Sequence, residues 1–295
     1  MLQKTTINAI LRYIDEHIEK KTINIHILVQ YSGYSRRYLQ LLFCKELGIP
    51  IGKYIQRRRI TRAALLLRLT RLPITLISER LCYDSQQTFT REFRKHTGYT
   101  PLQYRKSEEW TFKNQTGHRD LKISLPVPQI TALPQILFSG ISINYTGRIP
   151  HKYDNAKKKW DAINSILSKK TKIYVTNTIS HGKKPNNEFN IKTIIHTSEE
   201  YPCTKNTTYP NIYAHFTYKG KTKDYVCYVS NLYLNVLPFY GLQRRSGYDL
   251  EIISTQPNGE YYFEYYLPIY KDSEVAPEIP VNWPPEIPDS GCILK

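Results

Sequence analysis

Two short runs of polar and basic side chains, about fifty positions apart, carry the chemistry that stands out in this sequence. The candidate residues are Arg36, Arg37, Gln40 and Leu41 in the first run, and Ser85, Gln86, Gln87, Thr90, Arg91 and Arg94 in the second. Arginine can donate two hydrogen bonds to the major-groove edge of guanine, glutamine can both donate to and accept from adenine, and an apolar side chain can touch the thymine methyl group. We therefore interpret both runs as candidate readers of DNA bases.

Each run lies on a short predicted helix with the same start and the same end. Ser35 and Ser85 stand where a hydroxyl can accept a hydrogen bond from the free amides of a helix start, and Gly48 and Gly98 stand where the helix must end. Apolar residues at three- and four-residue spacing form the buried stripe of each helix. The sequence thus predicts one helix-turn-helix unit twice. A solvated amphipathic face would explain either copy alone, whereas two matched copies favour DNA binding.

The remaining apolar periodicity of residues 1–107 predicts an all-α domain around these two units. Further helices are predicted over 7–18 and from 25 to the turn at 32–33, and a long helix from 51 to about 70 joins the two units. Arg57, Arg58 and Arg62 on this long helix are predicted to contact DNA phosphates, which would fix the register of the protein without reading sequence. The alternative for these arginines is charge that only keeps the surface soluble.

The charge of the chain favours a polyanionic partner. Its 295 residues include 42 Lys and Arg against 25 Asp and Glu, a net charge of +17, and residues 1–110 hold 20 of the basic and 9 of the acidic residues. Such a surface gains affinity for DNA by releasing condensed counterions. Membrane headgroups would also attract it, but no apolar run reaches the ~20 residues that span a bilayer. Because Arg12, Asp15 and Glu16 occupy the place of a signal-peptide core, we predict a cytoplasmic protein.

The composition changes after residue 107. A polar stretch over 108–120 is predicted to be a linker, and 17 of the 25 tyrosines lie beyond residue 110 in segments rich in strand formers. Helical periodicity near 151–168 and 223–240 interrupts these strands. We predict an α+β domain over 121–270, built from a duplicated β-α-β-β unit, and an extended Pro-rich tail over 271–295.

No enzyme, metal or cofactor signature is present. The sequence lacks a Gly-x-Ser-x-Gly elbow, a phosphate-binding loop and a dinucleotide fingerprint, and its histidines and cysteines show no spacing suited to zinc. We therefore predict that the protein is not an enzyme, that it has no catalytic residues, and that it holds neither a metal nor another cofactor.

The N-terminal half resembles the AraC/XylS family of transcription activators. The resemblance rests on residues 33–35, on 93–95, and on the closing segment Gly98-Tyr99-Thr100-Pro101-Leu102-Gln103-Tyr104-Arg105. Residues 83–91 resemble the Mar/Sox/Rob subgroup. This resemblance implies a monomer whose two recognition helices enter successive major-groove segments on double-stranded DNA, about 34 Å apart. It also implies an activator that binds an asymmetric promoter element and recruits RNA polymerase.

Two positions of the first recognition helix depart from that subgroup. The subgroup usually has an aromatic residue where this chain has Arg37, and an arginine where it has Leu41. Arg37 could bond to a guanine or to a phosphate, and Leu41 could touch a thymine methyl group.

The C-terminal half resembles the GyrI-like domain of Rob-type regulators. The matching segments are 211–216, 219–220, 237–238 and 248–251. The resemblance implies a groove between the two repeats that holds an amphipathic or cationic small molecule, with Glu251 as its central acidic residue. A carboxylate flanked by aromatic rings suits an organic cation, and Trp160 and Tyr213 are the further candidate contacts.

Two alternatives to small-molecule sensing remain for this half, namely a protein-interaction module and a small-molecule hydrolase. A third class, the DNA-alkylation repair proteins, joins an AraC-type reader to a reactive cysteine. Cys203 follows a proline as that chemistry requires, but the His-Arg pair that would activate its thiolate is missing.

Overall fold

A computed structural model describes residues 2–108, 110–112, 114–119, 121, 125–133, 135–136, 140–148, 156–196, 204–205, 211–256 and 259–270. The predicted Pro-rich tail over 271–295 lies outside the described residues. Among the described residues, no helix is both long enough and apolar enough to cross a bilayer.

The N-terminal part is all helical, as predicted. Its helices are α1 (Leu2–His17), α2 (Ile25–Ser32), α3 (Arg36–Leu47), α4 (Ile51–Leu69), α5 (Ile74–Arg80), α6 (Gln86–Thr97) and α7 (Pro101–Lys106). The predicted starts and ends of the two recognition helices, α3 and α6, are confirmed. Ser35 and Ser85 accept hydrogen bonds from the amides three residues ahead, and Gly48 and Gly98 end the helices at φ 71° and 83°, the left-handed conformation that favours glycine.

The long helix α4 belongs to two hydrophobic cores. Ile51, Tyr54 and Ile55 at its N-terminal end pack with α1, α2 and α3 in the core of the first helix-turn-helix unit. The apolar residues from Ile60 to Leu67 pack with α5, α6 and α7 in the core of the second unit. One rigid helix therefore fixes the position of each unit relative to the other.

Asp15 of α1 and Glu19, in the turn that follows α1, neutralise buried arginines in the middle of the fold. Asp15 accepts hydrogen bonds from Nε and Nη2 of Arg58 at 2.8 and 2.5 Å, and Glu19 pairs with Arg62 at 2.8 Å and with Arg80 of α5 at 2.9 Å. Burial alone would raise the pKa of Asp15, but the charge of Arg58 and the hydrogen bond with His118 outweigh it and lower the pKa from 3.8 to about 2.

These ion pairs contradict two of the predicted phosphate contacts. Arg58 is 6% exposed and also donates to the backbone oxygen of Thr116, and the side chain of Arg62 is 13% exposed. Both guanidinium groups point into the protein because Asp15 of α1 and Glu19, in the turn after α1, place carboxylates there. The periodicity of α4 alone does not reveal these partners. Arg57 is half-buried and has no ion pair among the described residues, so its phosphate contact stays a prediction.

The C-terminal part is one antiparallel sheet covered by helices. Its elements are β1 (Gln129–Leu133), β2 (Gln135–Ile136), β3 (Gly140–Arg148), α8 (Lys157–Leu167), β4 (Lys172–His181), β5 (Glu188–His196), β6 (Thr204–Lys205), β7 (Asn211–Gly220), α9 (Thr222–Asn231), a π-helical turn (Leu232–Val236), α10 (Leu237–Tyr240), β8 (Asp249–Thr255) and β9 (Tyr261–Pro268). The sheet order is β1-β7-β9-β8-β4-β5-β3, and β2 pairs separately with β6.

The duplicated β-α-β-β unit predicted from sequence is confirmed. The first repeat is β3-α8-β4-β5 and the second is β7, the helices over 222–240, β8 and β9. Within each repeat the last strand pairs with the first, and β4 pairs with β8 to join the repeats at the centre of the sheet. The side chains of Asn177 on β4 and Glu251 on β8 therefore lie on the central strands.

The residues between the two parts form a packed strap rather than a bare polar chain. This strap consists of the described residues of 110–121, and all of them except Leu121 fall in the predicted linker 108–120. Trp110 exchanges backbone hydrogen bonds with Arg244 at 3.1 and 3.2 Å, and Thr116 bonds to Thr61 of α4. Phe112 is 1% exposed. The core of the second helix-turn-helix unit continues through Trp110 and Phe112 into the core under the sheet.

We predict that Asp15→Asn destabilises the protein in a pH-dependent way. The substitution leaves the buried Arg58 without its counter-charge, so the free energy of unfolding at pH 7 should fall by about 3 kcal/mol. Because the pKa of Asp15 is depressed in the folded state, its stabilisation is complete above about pH 4 and is lost as the pH falls toward 2. Urea unfolding at pH 7 and pH 3 measures this effect, and the gap between wild type and variant should narrow at pH 3.

The matched control is Glu16→Gln, which removes an exposed carboxylate from the next position of α1. It should change the free energy of unfolding by less than about 0.5 kcal/mol. An Asp15→Asn loss no larger than that of the control would contradict a stabilising role for the buried ion pair.

Candidate functional site

The outward face of α6 gathers the predicted DNA-contacting residues of the second unit. Gln86, Gln87, Arg91 and Arg94 are exposed and Thr90 is half-buried. All five line one surface groove, and Lys95 and Thr100 extend it. Phe89 and Phe93 are fully buried on the opposite face, where they anchor α6 to the core. The arrangement presents amide, hydroxyl and guanidinium groups to solvent on a helix held rigidly from behind.

Ser85 has a structural task at the start of this helix. Its hydroxyl oxygen accepts a hydrogen bond from the Thr88 backbone amide at 3.1 Å, and the hydroxyl donates to the Thr88 side-chain oxygen at 3.0 Å. In this structure the Ser85 hydroxyl proton is already used in the bond to Thr88, so it is not available for the predicted hydrogen bond to DNA. Its cap aligns the first turn of α6, which carries Gln86 and Gln87.

The outward face of α3 carries the predicted residues of the first unit. Arg36, Arg37 and Leu41 are exposed, with Leu41 at 47%, and Gln40 is half-buried. Sequence analysis missed Tyr38 on this face, which is 40% exposed and accepts a hydrogen bond from Gln3 of α1 at 2.7 Å. The signal was its three-residue spacing to Leu41, which places both side chains on one outward stripe.

Side-chain contacts tie α6 and the preceding helix α5 to the rest of the fold. The Gln56 amide of α4 donates to Glu92 of α6 at 2.8 Å, on the side of α6 away from the groove. Arg80, at the end of α5, bonds to Glu19, in the turn after α1, and to Asn187 between β4 and β5. The second reading helix is thus fixed to the first unit and, through α5, to the sheet.

A second candidate site is a cavity of about 120 Å³ on one face of the sheet. It lies between α8, α9 and the central strands, and both Glu251 and Trp160, predicted as ligand contacts, line it. Leu65 and Leu69 of α4 and Trp110 of the strap close its wall. The cavity therefore lies at the contact between the helical part and the sheet.

The predicted ligand contact at Tyr213 is contradicted. Tyr213 lies on β7, two strands away from β8, and it is not part of the cavity wall. It is 2% exposed and packs edge-on against Tyr266 at 6.5 Å between ring centres. Burial, with the neighbouring Tyr248, raises the pKa of the Tyr213 hydroxyl. Tyr213 is therefore a core residue, and β9 separates its strand from β8, which carries Glu251.

The polar groups of the cavity form two buried clusters. In the first, Oε1 of Glu251 accepts hydrogen bonds from Nζ of Lys159 at 2.7 Å and from the Asn177 amide at 2.6 Å. Burial disfavours the charged form of Lys159, but the facing carboxylate of Glu251 outweighs this effect and raises the pKa of Lys159. Sequence analysis missed Lys159, because nothing in α8 marks it as an inward-facing lysine.

The second cluster surrounds Asp249, two residues earlier on β8. Asp249 pairs with Arg244 at 2.9 Å and accepts hydrogen bonds from the hydroxyls of Tyr265, at 2.5 Å, and Tyr233. Tyr233 belongs to the π-helical turn that interrupts the helices of the second repeat. Burial raises the pKa of Tyr265, and the negative charge of Asp249 adds to that rise. Both tyrosines therefore remain protonated hydrogen-bond donors.

Neither site brings together a metal-binding set. Within the part of the chain that the structure describes, no three His, Cys, Asp or Glu side chains are grouped so that they could hold a metal ion.

The double helix-turn-helix fold and the cavity-bearing duplicated sheet define a DNA-binding regulator joined to an effector-binding type of domain. A family profile described as a helix-turn-helix domain matches residues 28–107, and one described as an integron-associated effector binding protein matches residues 129–269. The F1 operon positive regulatory protein of Yersinia pestis is 40% identical over 272 residues, which are 92% of this chain and 90% of that protein. The chain belongs to the AraC/XylS family of transcription regulators.

Two further proteins are similar to this chain. The transcriptional regulator Rob of Salmonella typhimurium is 27% identical over 263 residues, 85% of this chain and 91% of that protein. The C-terminal domain of AraT, a response regulator from Geobacillus stearothermophilus, is 33% identical with a TM-score of 0.33, and covers 34% of this chain and 83% of that one. The predicted family and the GyrI-like nature of the second domain are confirmed, and the family is one of DNA-binding regulators rather than enzymes.

We predict that Gln86→Ala and Arg91→Ala each weaken binding to a specific DNA element by about 1–3 kcal/mol, a loss of roughly five- to 150-fold, because each removes a contact with a base edge. Affinity for scrambled DNA should change far less. Fluorescence-anisotropy titrations of the full chain, against an element obtained by in vitro selection and against its scrambled control, measure both affinities.

The matched control is Lys158→Ala on the exposed surface of α8, which removes one positive charge away from both reading helices. Its ratio of specific to non-specific affinity should equal that of wild type. Equal losses on the two DNAs for Gln86→Ala and Arg91→Ala would show that neither side chain reads bases.

Proposed function

We propose that this regulator acts in the cytoplasm as a transcription activator of the Rob type. It binds an asymmetric promoter element as a monomer, inserts α3 and α6 into successive major-groove segments of double-stranded DNA, and recruits RNA polymerase. The name of its 40% identical relative, a positive regulatory protein, supports activation rather than repression. The second domain senses a small molecule and adjusts this activity.

The monomer proposal is supported by the unlike chemistry of the two reading faces. The face of α3 carries Arg36, Arg37, Tyr38 and Leu41, whereas the face of α6 is rich in glutamine, threonine and arginine. Two different faces on one rigid framework suit two different half-sites, so the element needs no internal symmetry. The 19 residues of α4 span about 28 Å, close to the helical repeat of about 34 Å that separates successive major-groove segments.

Sensing is supported by one observation above all, the composition of the cavity wall. Glu251 and Trp160 come from the second domain, whereas Leu65 and Leu69 come from the helix that sets the spacing of the two readers. A ligand in the cavity would therefore contact α4 directly. Ligand binding in the cavity and DNA binding can therefore be coupled through α4 itself, without further residues between the two sites.

The location of the polar groups favours sensing over a protein-interaction module. Glu251 is 3% and Asp249 1% exposed, so a macromolecular surface could not reach either carboxylate. A small molecule that enters the cavity could reach both.

We predict that hydroxyl-radical footprinting of the full chain on a selected element shows two unequal protected stretches on one face of the DNA, about 10 base pairs apart. Gln40→Ala should weaken protection in one stretch and Gln86→Ala in the other, because each helix reads its own half-site. Sedimentation of the complex should give one chain per element. A symmetric footprint with two chains bound would contradict the proposed monomer.

We predict that a cavity ligand changes specific DNA affinity by at least about fivefold, the lower end of ordinary allosteric coupling. Leu69→Ala removes a side chain through which α4 contacts the cavity, and should reduce that change to less than about twofold while the ligand still binds. Leu102→Ala, an exposed leucine of α7, is the control and should retain full coupling. Anisotropy titrations with and without ligand, on wild type and both variants, test this proposal. Unchanged coupling in Leu69→Ala would exclude α4 as the route.

A further inference from the structure

The two acidic side chains of the cavity are each neutralised from within the protein. Lys159 lies 2.7 Å from Glu251 and Arg244 lies 2.9 Å from Asp249, and the four side chains are 6%, 4%, 10% and 1% exposed, respectively. The charged groups of the cavity therefore sum to zero before any ligand enters. The resemblance to GyrI-like domains implied that Glu251 is the central acidic residue of a site for an amphipathic or cationic molecule. In this structure the positive charge beside Glu251 is supplied by Lys159.

A cationic ligand would meet an unfavourable site. Its charge would lie beside the ammonium group of Lys159, and two positive charges would then share the buried carboxylate of Glu251. Two neighbouring positive charges repel each other strongly when they are buried. The ammonium group of the buried Lys159 lies 5.2 Å from the centre of the Trp160 ring, so the side chain is packed in place.

The cavity nevertheless offers hydrogen bonds that nothing in the described part of the chain uses. Oε2 of Glu251, Nε1 of Trp160 and the hydroxyl of Tyr225 are buried without a hydrogen-bond partner there, and all three residues line the cavity. A buried polar atom without a partner loses the hydrogen bonds that it made to water. Oε2 can only accept a hydrogen bond while Glu251 is ionised, and the Trp160 nitrogen can only donate one.

These three atoms define the chemistry of a complementary molecule. A ligand hydroxyl or N–H group would donate to Oε2 of Glu251 without adding charge, and a ligand oxygen could accept from Trp160 or Tyr225. Most of the remaining wall is aromatic or aliphatic, including Ile179, Val229 and Leu234. A cavity of about 120 Å³ is of the size that holds a single aromatic ring, since an apolar cavity of about 150 Å³ holds benzene.

We infer that the cavity selects an uncharged aromatic molecule with a hydrogen-bond donor, which bonds to the free oxygen of Glu251 while Lys159 keeps that carboxylate neutralised. This inference rests on the proposed sensing function and specifies its ligand class. Lys159 is accordingly a specificity-determining residue, because it excludes the organic cations that a bare carboxylate would attract.

Three probes with one aromatic ring each separate the possibilities. Phenol is uncharged and carries a donor, anisole is uncharged and has none, and phenyltrimethylammonium is a permanent cation. Calorimetric titration of the full chain at millimolar probe concentrations should show phenol binding at least about tenfold more tightly than either of the others, because its hydroxyl donates to a carboxylate. In Lys159→Met the carboxylate loses its counter-charge, and the preference should reverse toward phenyltrimethylammonium by at least about tenfold.

The double variant Lys159→Met/Glu251→Gln keeps the cavity neutral and tests the charge argument even if Lys159→Met fails to fold. It retains an amide oxygen as acceptor, so it should prefer phenol over phenyltrimethylammonium, as wild type does. A preference of wild type for phenyltrimethylammonium would overturn the inference but leave the sensing function standing. Binding of none of the three probes to wild type would overturn both.

Discussion

Helix α4 is the constraint on which the rest of this structure depends. Its first turns complete the core of one helix-turn-helix unit, its later turns complete the core of the other, and Leu65 and Leu69 continue into the wall of the cavity. A helix that is packed at both ends cannot rotate or shift at one end without disturbing the other. The distance between the two reading faces is therefore a property of the core, and any change in that core is felt by both.

Buried ion pairs also hold α4 in place. Burial of Arg58 and Arg62 on their own would be costly, and it becomes tolerable because Asp15 of α1 and Glu19, in the turn after α1, place carboxylates against them. Such pairs add little stability compared with an apolar core, but they admit only one arrangement of α1 against α4. The same principle recurs in the second domain, where Lys159 and Glu251 fix α8 against the central strands.

Local sequence patterns predicted the elements well, because helix caps, apolar periodicity and strand alternation are read over a few residues. The caps at Ser35 and Ser85 and the duplicated β-α-β-β order are examples. What the patterns could not reveal were partners distant along the chain. Arg58 meets Asp15 across 43 positions and Lys159 meets Glu251 across 92, so the first looked like a surface arginine and the second passed unnoticed. Of the three predicted ligand contacts, Glu251 and Trp160 line one cavity, whereas Tyr213 lies outside it because its strand is two places from β8.

The strap has a consequence for how such regulators can diversify. Trp110 and Phe112 join the core of the second helix-turn-helix unit to the core under the sheet. The boundary between the two domains is therefore part of a continuous hydrophobic core. A chimaera that grafts a foreign sensor onto these readers, or these readers onto another sensor, would cut through packed side chains unless it also transplants the strap and the surfaces that receive it. Recombination that preserves function should therefore cross over within shared elements, and the readers and the sensor should be inherited together.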